Sequence, residues 1–250
     1  MNVGYHTKQQ QLSVASRINV KLNEGELMAV IGVNGVGKST FLRTISGVQS
    51  QLSGKIFISG RDRSNISSEK IAELISVVLT EQPLSKNLNV AELVALGRQP
   101  YTNWLGNLTS IDRQKVKEAL ELVKIKEIQH KKCYELSDGQ LQKALIARAL
   151  AQDTPVMILD EPTSHLDMYH KAQVLQLLKK LSRQTKKAIV FATHEINLAL
   201  QLCDQMILMK ENGIIQGSPQ ELIQKSAFDD IFPSDLIVFD STSQSFKIKS

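Results

Sequence analysis

Short apolar runs alternate with helical patterns through much of this chain. Mostly apolar runs of four or five residues occupy positions 27–31, 75–79, 156–159, 188–192 and 206–209. Runs of this length, rich in β-branched residues, predict buried strands. Between two of them, Val174, Leu177, Leu178 and Leu181 recur at the spacing of one helix face. Strands that alternate with helices favour an α/β fold with a mostly parallel sheet.

The character of the sequence changes in residues 87–150, where helical signals dominate. Asn89 is followed three residues later by Glu92, which is typical of a capping box at a helix start. The pair Gly97-Arg98 is typical of a helix end, with a glycine cap and a cation near the last carbonyls. We predict an inserted α-helical subdomain over this range.

Turn and cap signals mark several shorter elements. Residues 55–58 are bracketed by glycines and predict a strand, and Asn212-Gly213 predicts a tight hairpin. Residues 218–221 combine a capping box with a proline at the first helical position. The tail after residue 232 predicts a last hairpin.

The composition excludes several classes of protein. The chain has 250 residues, of which 42% are hydrophobic and 22% charged, and this excludes low-complexity and wholly disordered proteins. No stretch approaches the roughly 18 consecutive apolar residues of a membrane-spanning helix, and the first residues contain no apolar signal core. We therefore expect a soluble protein that is not exported.

The cysteine content and the net charge give limited information about the cellular compartment and the binding partners. Cys133 and Cys203 have neither a CxxC pattern nor a nearby histidine, so we expect no zinc site and no disulfide framework, and a reducing cytoplasm. An excess of 30 Lys and Arg over 25 Asp and Glu gives a formal charge of +5. Such a charge permits binding to nucleic acid or to an anionic membrane surface but requires neither, because the basic residues are scattered.

The strongest chemical motif follows the first buried run. Residues 32–39, Gly-Val-Asn-Gly-Val-Gly-Lys-Ser, fit the phosphate-loop pattern GxxxxGK[ST] between a predicted strand and a predicted helix. Glycines let backbone N–H groups turn toward phosphates, and the following helix presents the positive end of its dipole. Lys38 would neutralise the β- and γ-phosphates, and the Ser39 hydroxyl would ligate Mg²⁺. The predicted ATP-binding residues here are Asn34, Gly35, Gly37, Lys38, Ser39 and Thr40.

Two adjacent acids, Asp160 and Glu161, end the apolar run 156–159. An apolar strand that leads into an acidic turn is common, so the functional interpretation depends on the accompanying phosphate loop. Successive residues of an extended chain point to opposite sides, so the two carboxylates can divide the work. Asp160 would hold Mg²⁺, directly or through water, while Glu161 would polarise the attacking water as general base.

The residues Leu-Ser-Asp-Gly-Gln at 136–140 resemble the LSGGQ signature of ATP-binding cassette (ABC) ATPases. Asp138 stands in place of the first of the two signature glycines. Just beyond the paired acids, residues 162–167 are similar to the D-loop of that family, which ends at Asp167. A helical pattern with small and apolar residues continues after the signature, as it does in the family.

Three single residues extend the resemblance to ABC ATPases. His194 follows the predicted strand 188–192 and resembles the switch histidine, and Gln82 follows the run 75–79 like the Q-loop glutamine. Tyr5 is placed like the aromatic residue that stacks on adenine. Each is weak alone, but their order along the chain is that of the family.

The resemblance implies a P-loop NTPase fold of ABC type. Its core is an α/β structure with a mixed, mostly parallel sheet, an N-terminal antiparallel β region and an inserted α-helical subdomain. The ATP-binding RecA-like core with its N-terminal β subdomain would occupy residues 1–86 and 151–232. The helical signature subdomain would occupy residues 87–150, and residues 233–250 would form a C-terminal tail.

The resemblance also implies a head-to-tail homodimer that sandwiches two ATP molecules. Each ATP would lie between the phosphate loop of one subunit and the signature of the other, with Ser137, Gly139 and Gln140 acting in trans. The implied catalytic residues are Glu161, His194, Gln82 and Lys38, and the implied Mg²⁺ ligands are Ser39, Gln82 and Asp160. The carboxylate of Asp138 is a departure that we expect activity to survive.

The function that this resemblance favours is the ATP-hydrolysing subunit of a membrane importer. Residues 89–101 and 164–167 resemble importer ATPases for iron–siderophore complexes, haem and cobalamin, and we favour iron complexes as cargo. The implied partners are integral-membrane permease subunits and, indirectly, an extracytoplasmic binding protein, at the cytoplasmic face of the inner membrane. No nucleic acid is expected. The alternatives are a soluble ABC ATPase acting on DNA or the ribosome, and a regulatory cassette without activity.

Overall fold

The computed structural model describes residues 1–6, 11–79, 87–104, 106–210, 213–229, 231–232 and 236–249. The strands in this part of the chain are β1 Val3–His6, β2 Gln11–Ala15, β3 Leu27–Ile31, β4 Phe57–Ile58, β5 Arg61–Asp62, β6 Ile75–Val78, β7 Val156–Asp160, β8 Ala188–Ala192, β9 Gln205–Lys210, β10 Gly213–Gly217, β11 Ile237–Asp240 and β12 Ser245–Ile248. The α-helices are α1 Lys38–Ser46, α2 Ser68–Ala72, α3 Val90–Ala95, α4 Ser110–Leu122, α5 Asp138–Ala151, α6 Met168–Thr185, α7 Ile196–Leu202 and α8 Pro219–Gln224.

A six-stranded sheet in the order β10-β9-β3-β8-β7-β6 forms the centre of the molecule. Its pairs are parallel except for β9 with β10. Alternate residues of β3 lie in two different apolar clusters. Met28 and Val30 share one cluster with Phe41 of α1. Ala29 belongs to the other cluster, which includes Leu178 of α6. The predicted α/β fold with a mostly parallel sheet is confirmed. Because β3, β7 and β8 are parallel, the loops that follow them meet at one edge.

Two small antiparallel sheets, each of two strands, lie outside the main sheet in the N-terminal part of the chain. β1 pairs with β2, and β4 pairs with β5. The strand predicted over residues 55–58 is wrong in extent, because only Phe57 and Ile58 have partners in the two-residue β5. The chain turns directly afterwards, where Ser59 and Gly60 both adopt positive φ. Phe57 is 61% exposed, so the short strand has one buried face at most.

The helices α3, α4 and α5 surround a common apolar cluster that includes Leu93, Leu120 and Ile146. The predicted capping box of Asn89 with Glu92 is confirmed at the start of α3. The predicted helix end at Gly97 is wrong: a 3₁₀ turn continues through residues 96–101. A Cβ at Gly97 would lie 2.1 Å from the carbonyl oxygen of Arg148, so this glycine permits a close approach of α5. The division of the chain at residues 87 and 150 stays a prediction.

Arg98 is buried inside this helical region, at 5% exposure. Its Nε donates to Asp112 Oδ1 at 2.8 Å, its Nη1 donates to the carbonyl of Ala151 at 2.7 Å, and its guanidinium lies 4.0 Å from the ring centre of Tyr101. Hydrogen bonds from Thr109 first, and from Arg98, lower the pKa of Asp112 to about 2 against the opposing effect of burial. The cation predicted near a helix end therefore joins α4 to the end of α5.

Replacing Arg98 by lysine should lower the free energy of unfolding by about 2 kcal/mol, measured by urea denaturation. Lysine keeps the charge but lacks the planar guanidinium that donates to both Asp112 Oδ1 and the carbonyl oxygen of Ala151. A buried acceptor left unpaired costs about 1–3 kcal/mol. Arg113→Lys is the matched control, because Arg113 is an exposed residue of α4. This substitution should change the free energy of unfolding by less than about 0.5 kcal/mol. Equal unfolding midpoints for the two variants would contradict the buried network.

The C-terminal segments confirm the remaining turn signals. β9 and β10 form an antiparallel hairpin in which Lys210 pairs with Gly213, and the two residues between them lie outside the described part of the chain. Ser218 and Glu221 form the predicted capping box of α8. The predicted last hairpin consists of β11 and β12, and it stacks Phe239 against the buried Phe228. Among the described residues, no helix has both the length and the apolar character needed to cross a bilayer.

Candidate active site

The phosphate loop connects β3 to α1, as the sequence predicts. Gly35 and Gly37 adopt positive φ, and a Cβ at Gly37 would lie 2.2 Å from Val14 Cγ1, so position 37 has no room for a side chain. α1 begins at Lys38 without a side-chain cap, which leaves its first N–H groups available to an anion. Asn34 and Gly35 are exposed at the outer end of the loop.

Lys38 is buried within the curve of its own loop. Its Nζ donates to the carbonyls of Gly32 at 2.9 Å and of Val33 at 3.2 Å. Burial lowers the pKa of Lys38, while the carboxylates of Glu161 and Asp160 oppose that effect. The ammonium group is therefore fixed where the loop would enclose phosphate, with both predicted acids near enough to influence it.

Two of the three predicted Mg²⁺ ligands, Ser39 and Asp160, are brought together from distant parts of the chain. Ser39 Oγ donates to Asp160 Oδ1 at 3.2 Å, across 121 positions of sequence. Burial raises the pKa of Asp160, and the hydrogen bond from Ser39 works against that rise. A hydroxyl oxygen beside a carboxylate is the oxygen-donor chemistry that Mg²⁺ prefers, so these residues fit the ion.

Glu161 and His194 form a direct pair at the same edge of the sheet. His194 Nε2 lies 2.8 Å from Glu161 Oε1, and Ser164 Oγ donates to Glu161 Oε2 at 3.0 Å. Burial alone would raise the pKa of Glu161, but the hydrogen bonds from His194 and Ser164 outweigh it, and the net pKa is lowered. An ionised carboxylate only accepts hydrogen bonds, so Nε2 of His194 donates. Glu161 also has a φ of 47°, a strained geometry that is concentrated at functional sites.

Tyr5 lies beside the start of α1, and its role in stacking on adenine stays a prediction. Its hydroxyl is 2.7 Å from Thr40 Oγ1, and the residue is 41% exposed. Thr40 is buried. The hydroxyl contact holds the ring near the phosphate loop and leaves part of it accessible to a base.

The signature residues form the first turn of α5. Ser137 caps this helix: its Oγ accepts the N–H of Gln140, and Gln140 Oε1 accepts the N–H of Ser137. Gly139 is buried, whereas Asp138 is exposed. A cleft of about 180 Å³ lies between this turn and the loop after β7, and it is lined by Asp138 and Glu161 among others.

The D-loop residue Asp167 caps α6. Its Oδ1 accepts the N–H of His170 at 2.9 Å, and its Oδ2 lies 2.7 Å from Nδ1 of the same histidine. His170 and Ser164 are site residues that the sequence reasoning missed, although an aspartate three residues before a histidine at a helix start is a recognisable capping signal. Gln82, the predicted Q-loop glutamine, lies outside the described residues.

A family model described as ABC transporter matches residues 15–164. The chain belongs to the ABC transporter family. It is 38% identical, over 88% of its length and 76% of the relative's, to an uncharacterized ABC transporter ATP-binding protein of Methanocaldococcus jannaschii. It is 36% identical, over 88% of its length and 86% of the relative's, to a petrobactin import ATP-binding protein of Bacillus subtilis.

Solved structures of ABC proteins share the fold. An inward-facing ABC transporter described as of metal-chelate type matches with a TM-score of 0.75 and 27% identity, over 92% of this chain and 87% of the other. A dimeric ABC cassette bound to ADP and phosphate after hydrolysis matches with a TM-score of 0.72 and 26% identity, over 87% of this chain and 98% of the other. The predicted ABC-type ATPase is thereby confirmed as to family and fold.

Asp138, the departure from the ABC signature, should be nearly neutral for turnover. The carboxylate is exposed at the N-terminus of α5, where a negative charge is favourable by about 0.3–1 kcal/mol. We expect Asp138→Asn to change the steady-state ATPase rate by no more than about twofold, because water and salt screen the charge of an exposed side chain. A rise of about tenfold would instead identify the carboxylate as a brake. Asparagine is the better probe, because a glycine here would itself cost about 0.5–1 kcal/mol of helix stability.

Proposed function

We propose that this chain is the ATP-hydrolysing subunit of an ABC importer whose cargo is an iron chelate. Relatives named for petrobactin import, iron(3+)-hydroxamate import and ferric enterobactin transport are 36%, 32% and 31% identical over 88–91% of the chain. Their names agree with the cargo class that residues 89–101 and 164–167 favour. The observation that carries the ATPase part is the convergence of Lys38, Ser39, Asp160, Glu161 and His194 at one edge of the sheet.

Glu161 is proposed as the general base for the attacking water. Its lowered pKa keeps it ionised near neutral pH, so it can accept a proton. His194 holds one carboxylate oxygen and Ser164 holds the other. These bonds orient the carboxylate, and His194 would also contact the γ-phosphate, where it helps to position the water.

Mg²⁺ is proposed as the cofactor, held by Ser39 and Asp160 together with Gln82. When bound, the ion supplies charge neutralisation of the β- and γ-phosphates. Lys38 would contribute to the same neutralisation from the other side of the loop, and the uncapped start of α1 would donate N–H groups to phosphate oxygens. Tyr5 would stack on the adenine.

The active unit is proposed to be a homodimer with ATP at its interface. Ser137, Gly139 and Gln140 would bind the nucleotide of the other subunit, with the positive end of α5 toward its γ-phosphate. Asp167 would lie at the same interface. Since the γ-phosphate exists only before hydrolysis, ATP would hold the dimer together and ADP would release it.

The proposed permease contact lies on the helical region. Trp104 is 91% exposed, and Leu96, Tyr101 and Ile111 near it in sequence are also exposed. Large apolar side chains left in solvent are typical of interaction sites. The cassette would act at the cytoplasmic face of the inner membrane, and cargo would reach the permease through an extracytoplasmic binding protein that this chain does not contact.

The proposal is tested by capturing what the cassette binds. Tagged Glu161→Gln protein, loaded with ATP, is recovered from detergent-solubilised membranes of its host, and co-purifying proteins are identified by mass spectrometry. We expect a permease with many membrane-spanning helices, and iron-chelate uptake that fails when the gene for the cassette is deleted. The Lys38→Ala protein, which should bind ATP at least about a hundredfold more weakly, is the control that separates ATP-dependent capture from capture that needs no nucleotide.

Two outcomes would contradict the proposed function. Recovery of ribosomes or nucleic acid in place of a permease would favour the soluble ABC ATPase. If a permease is recovered but its deletion leaves iron-chelate uptake intact, the proposed role in transport stands and the proposed iron-chelate cargo is contradicted.

A further inference from the structure

His170 connects two motifs that the proposed function assigns to the dimer interface. Its ring lies against Gly139 of the signature, and its Nδ1 contacts Asp167 of the D-loop. His170 belongs to neither motif, and the proposed mechanism gives it no role. Its side chain is partly exposed at 44%, so the general need to bury apolar surface does not explain these contacts.

The contact with Asp167 fixes the orientation of the imidazole. Both carboxylate oxygens are used, Oδ1 by the backbone N–H of His170 and Oδ2 by its ring. The backbone hydrogen bond first, and then the ring hydrogen bond, lower the pKa of Asp167. Because an ionised carboxylate only accepts, Nδ1 carries the proton and donates. The ring is thereby attached to the D-loop at both its backbone and its edge.

The ring of His170 lies beside Gly139 in the signature turn. A Cβ at position 139 would lie 3.0 Å from Cδ2 and 3.5 Å from Cγ of His170. Non-bonded carbon atoms attract best at about 3.5–4.0 Å, so the ring occupies the space that a side chain would need. Gly139 is buried under it, two positions after the cap residue Ser137.

We propose that His170 is a positioning residue that holds the signature turn at a fixed place relative to the D-loop of the same subunit. The inference rests on the proposed function, in which the signature binds the ATP of a second copy. Two surfaces that are already ordered relative to each other lose less freedom when the subunits close on ATP. The dimer should therefore form at a lower ATP concentration when His170 is present.

The helix turn that carries His170 is also attached to the catalytic pair. The neighbouring Lys171 donates to Glu195 Oε1 at 2.5 Å, and Glu195 directly follows His194, which contacts Glu161. The start of α6 is thus held by the loop after β8. His170 therefore connects the signature turn to the start of α6, which the loop after β8 holds in place.

The test compares ATP-dependent dimerisation in the Glu161→Gln background. Light scattering gives the ATP concentration for half-dimerisation of Glu161→Gln alone, with His170→Ala, and with His130→Ala as the control at an exposed histidine. We expect His170→Ala to raise this concentration about tenfold, which corresponds to about 1.4 kcal/mol for each of the two ATP sites, and His130→Ala to leave it unchanged. The affinity of the monomer for a fluorescent ADP analogue should stay the same in all three proteins, and His170→Ala should lower the melting temperature by no more than about 5 °C, because one hydrogen bond contributes about 0.5–1.5 kcal/mol.

Two further substitutions separate the contacts of His170. Asparagine retains a donor toward Asp167 but lacks the ring over Gly139, and phenylalanine retains a ring but lacks the donor. Each should recover part of the shift caused by alanine. Recovery by neither would overturn the inference.

The possible failures are distinguishable. If Glu161→Gln with His170→Ala dimerises at the same ATP concentration as Glu161→Gln, the inference is overturned while the proposed function stands. If His170→Ala lowers the ADP affinity of the monomer, or lowers the melting temperature by more than about 5 °C, the role is merely structural and the inference is again overturned. If Glu161→Gln alone stays monomeric in saturating ATP, the proposed dimer fails, and the inference fails with it.

Discussion

Replacing Glu161 by glutamine should lower ATP turnover by about 10²–10⁴-fold, the usual contribution of a general base, while nucleotide binding is retained. Glutamine has nearly the same volume: its one oxygen can still accept from His194, and its amide can donate to the hydroxyl of Ser164, which is also an acceptor. It cannot accept a proton from water at neutral pH. The loss should therefore appear in the maximal rate, with a half-saturating ATP concentration that is unchanged or lower.

The measurement is a steady-state phosphate-release assay, combined with light scattering in saturating ATP. Since hydrolysis is what would dissolve the ATP-bound dimer, the variant should accumulate as a dimer while the wild-type protein does not. Glu24→Gln, at an exposed glutamate between β2 and β3, is the matched control and should retain the full rate. A Glu161→Gln protein that keeps more than about a tenth of wild-type turnover would remove Glu161 from the role of base.

Much of the fold could be predicted because short apolar runs in the sequence identify the buried strands. β8 occupies the same residues, 188–192, as the run that predicts it, since a strand buried on both faces reads as a continuous apolar run. The order of the strands could not be predicted in this way, because it depends on which loops cross the sheet. The strand at 55–58 is shorter than predicted, since its partner β5 has only two residues, a fact that its own sequence does not contain.

The chemical residues could be predicted where a local pattern requires them. The phosphate loop is continuous in sequence, so its glycines and Lys38 are identifiable together. The Glu161–His194 contact joins residues 33 positions apart, and only the family resemblance placed the histidine there. Ser164 lies within the D-loop pattern, but its hydrogen bond to Glu161 arises from the turn that follows the positive φ of that glutamate.

Arg98 and His170 show why other roles are invisible in sequence. A Gly-Arg pair is typical of a helix end, and nothing local indicates that the arginine is buried against Asp112 and the end of α5. For His170, the capping signal of Asp167 is local, but the contact with Gly139 depends on how α5 and α6 pack. In both cases the deciding neighbour comes from another helix.

Replacing Lys38 by alanine should weaken ATP binding itself by at least about a hundredfold. In the proposed complex its ammonium group serves the β- and γ-phosphates, and hydrogen bonds to charged groups contribute about 1.5–3 kcal/mol each. The loss of two such bonds, about 3 kcal/mol in all, corresponds to two powers of ten in affinity. Binding of a fluorescent ATP analogue, measured by titration, gives the change directly.

The geometry of the loop makes charge alone insufficient at this position. Lys38 is buried and donates to two carbonyls within its own loop, at Gly32 and Val33. Arginine would keep the charge, but its planar guanidinium needs a wider space than this curve of backbone provides. We therefore expect Lys38→Arg also to bind ATP poorly, while Lys180→Ala, at an exposed position of α6, binds normally. ATP affinity within about threefold of wild type for Lys38→Ala would mean that the backbone N–H groups and the helix dipole of α1 suffice to hold the phosphates.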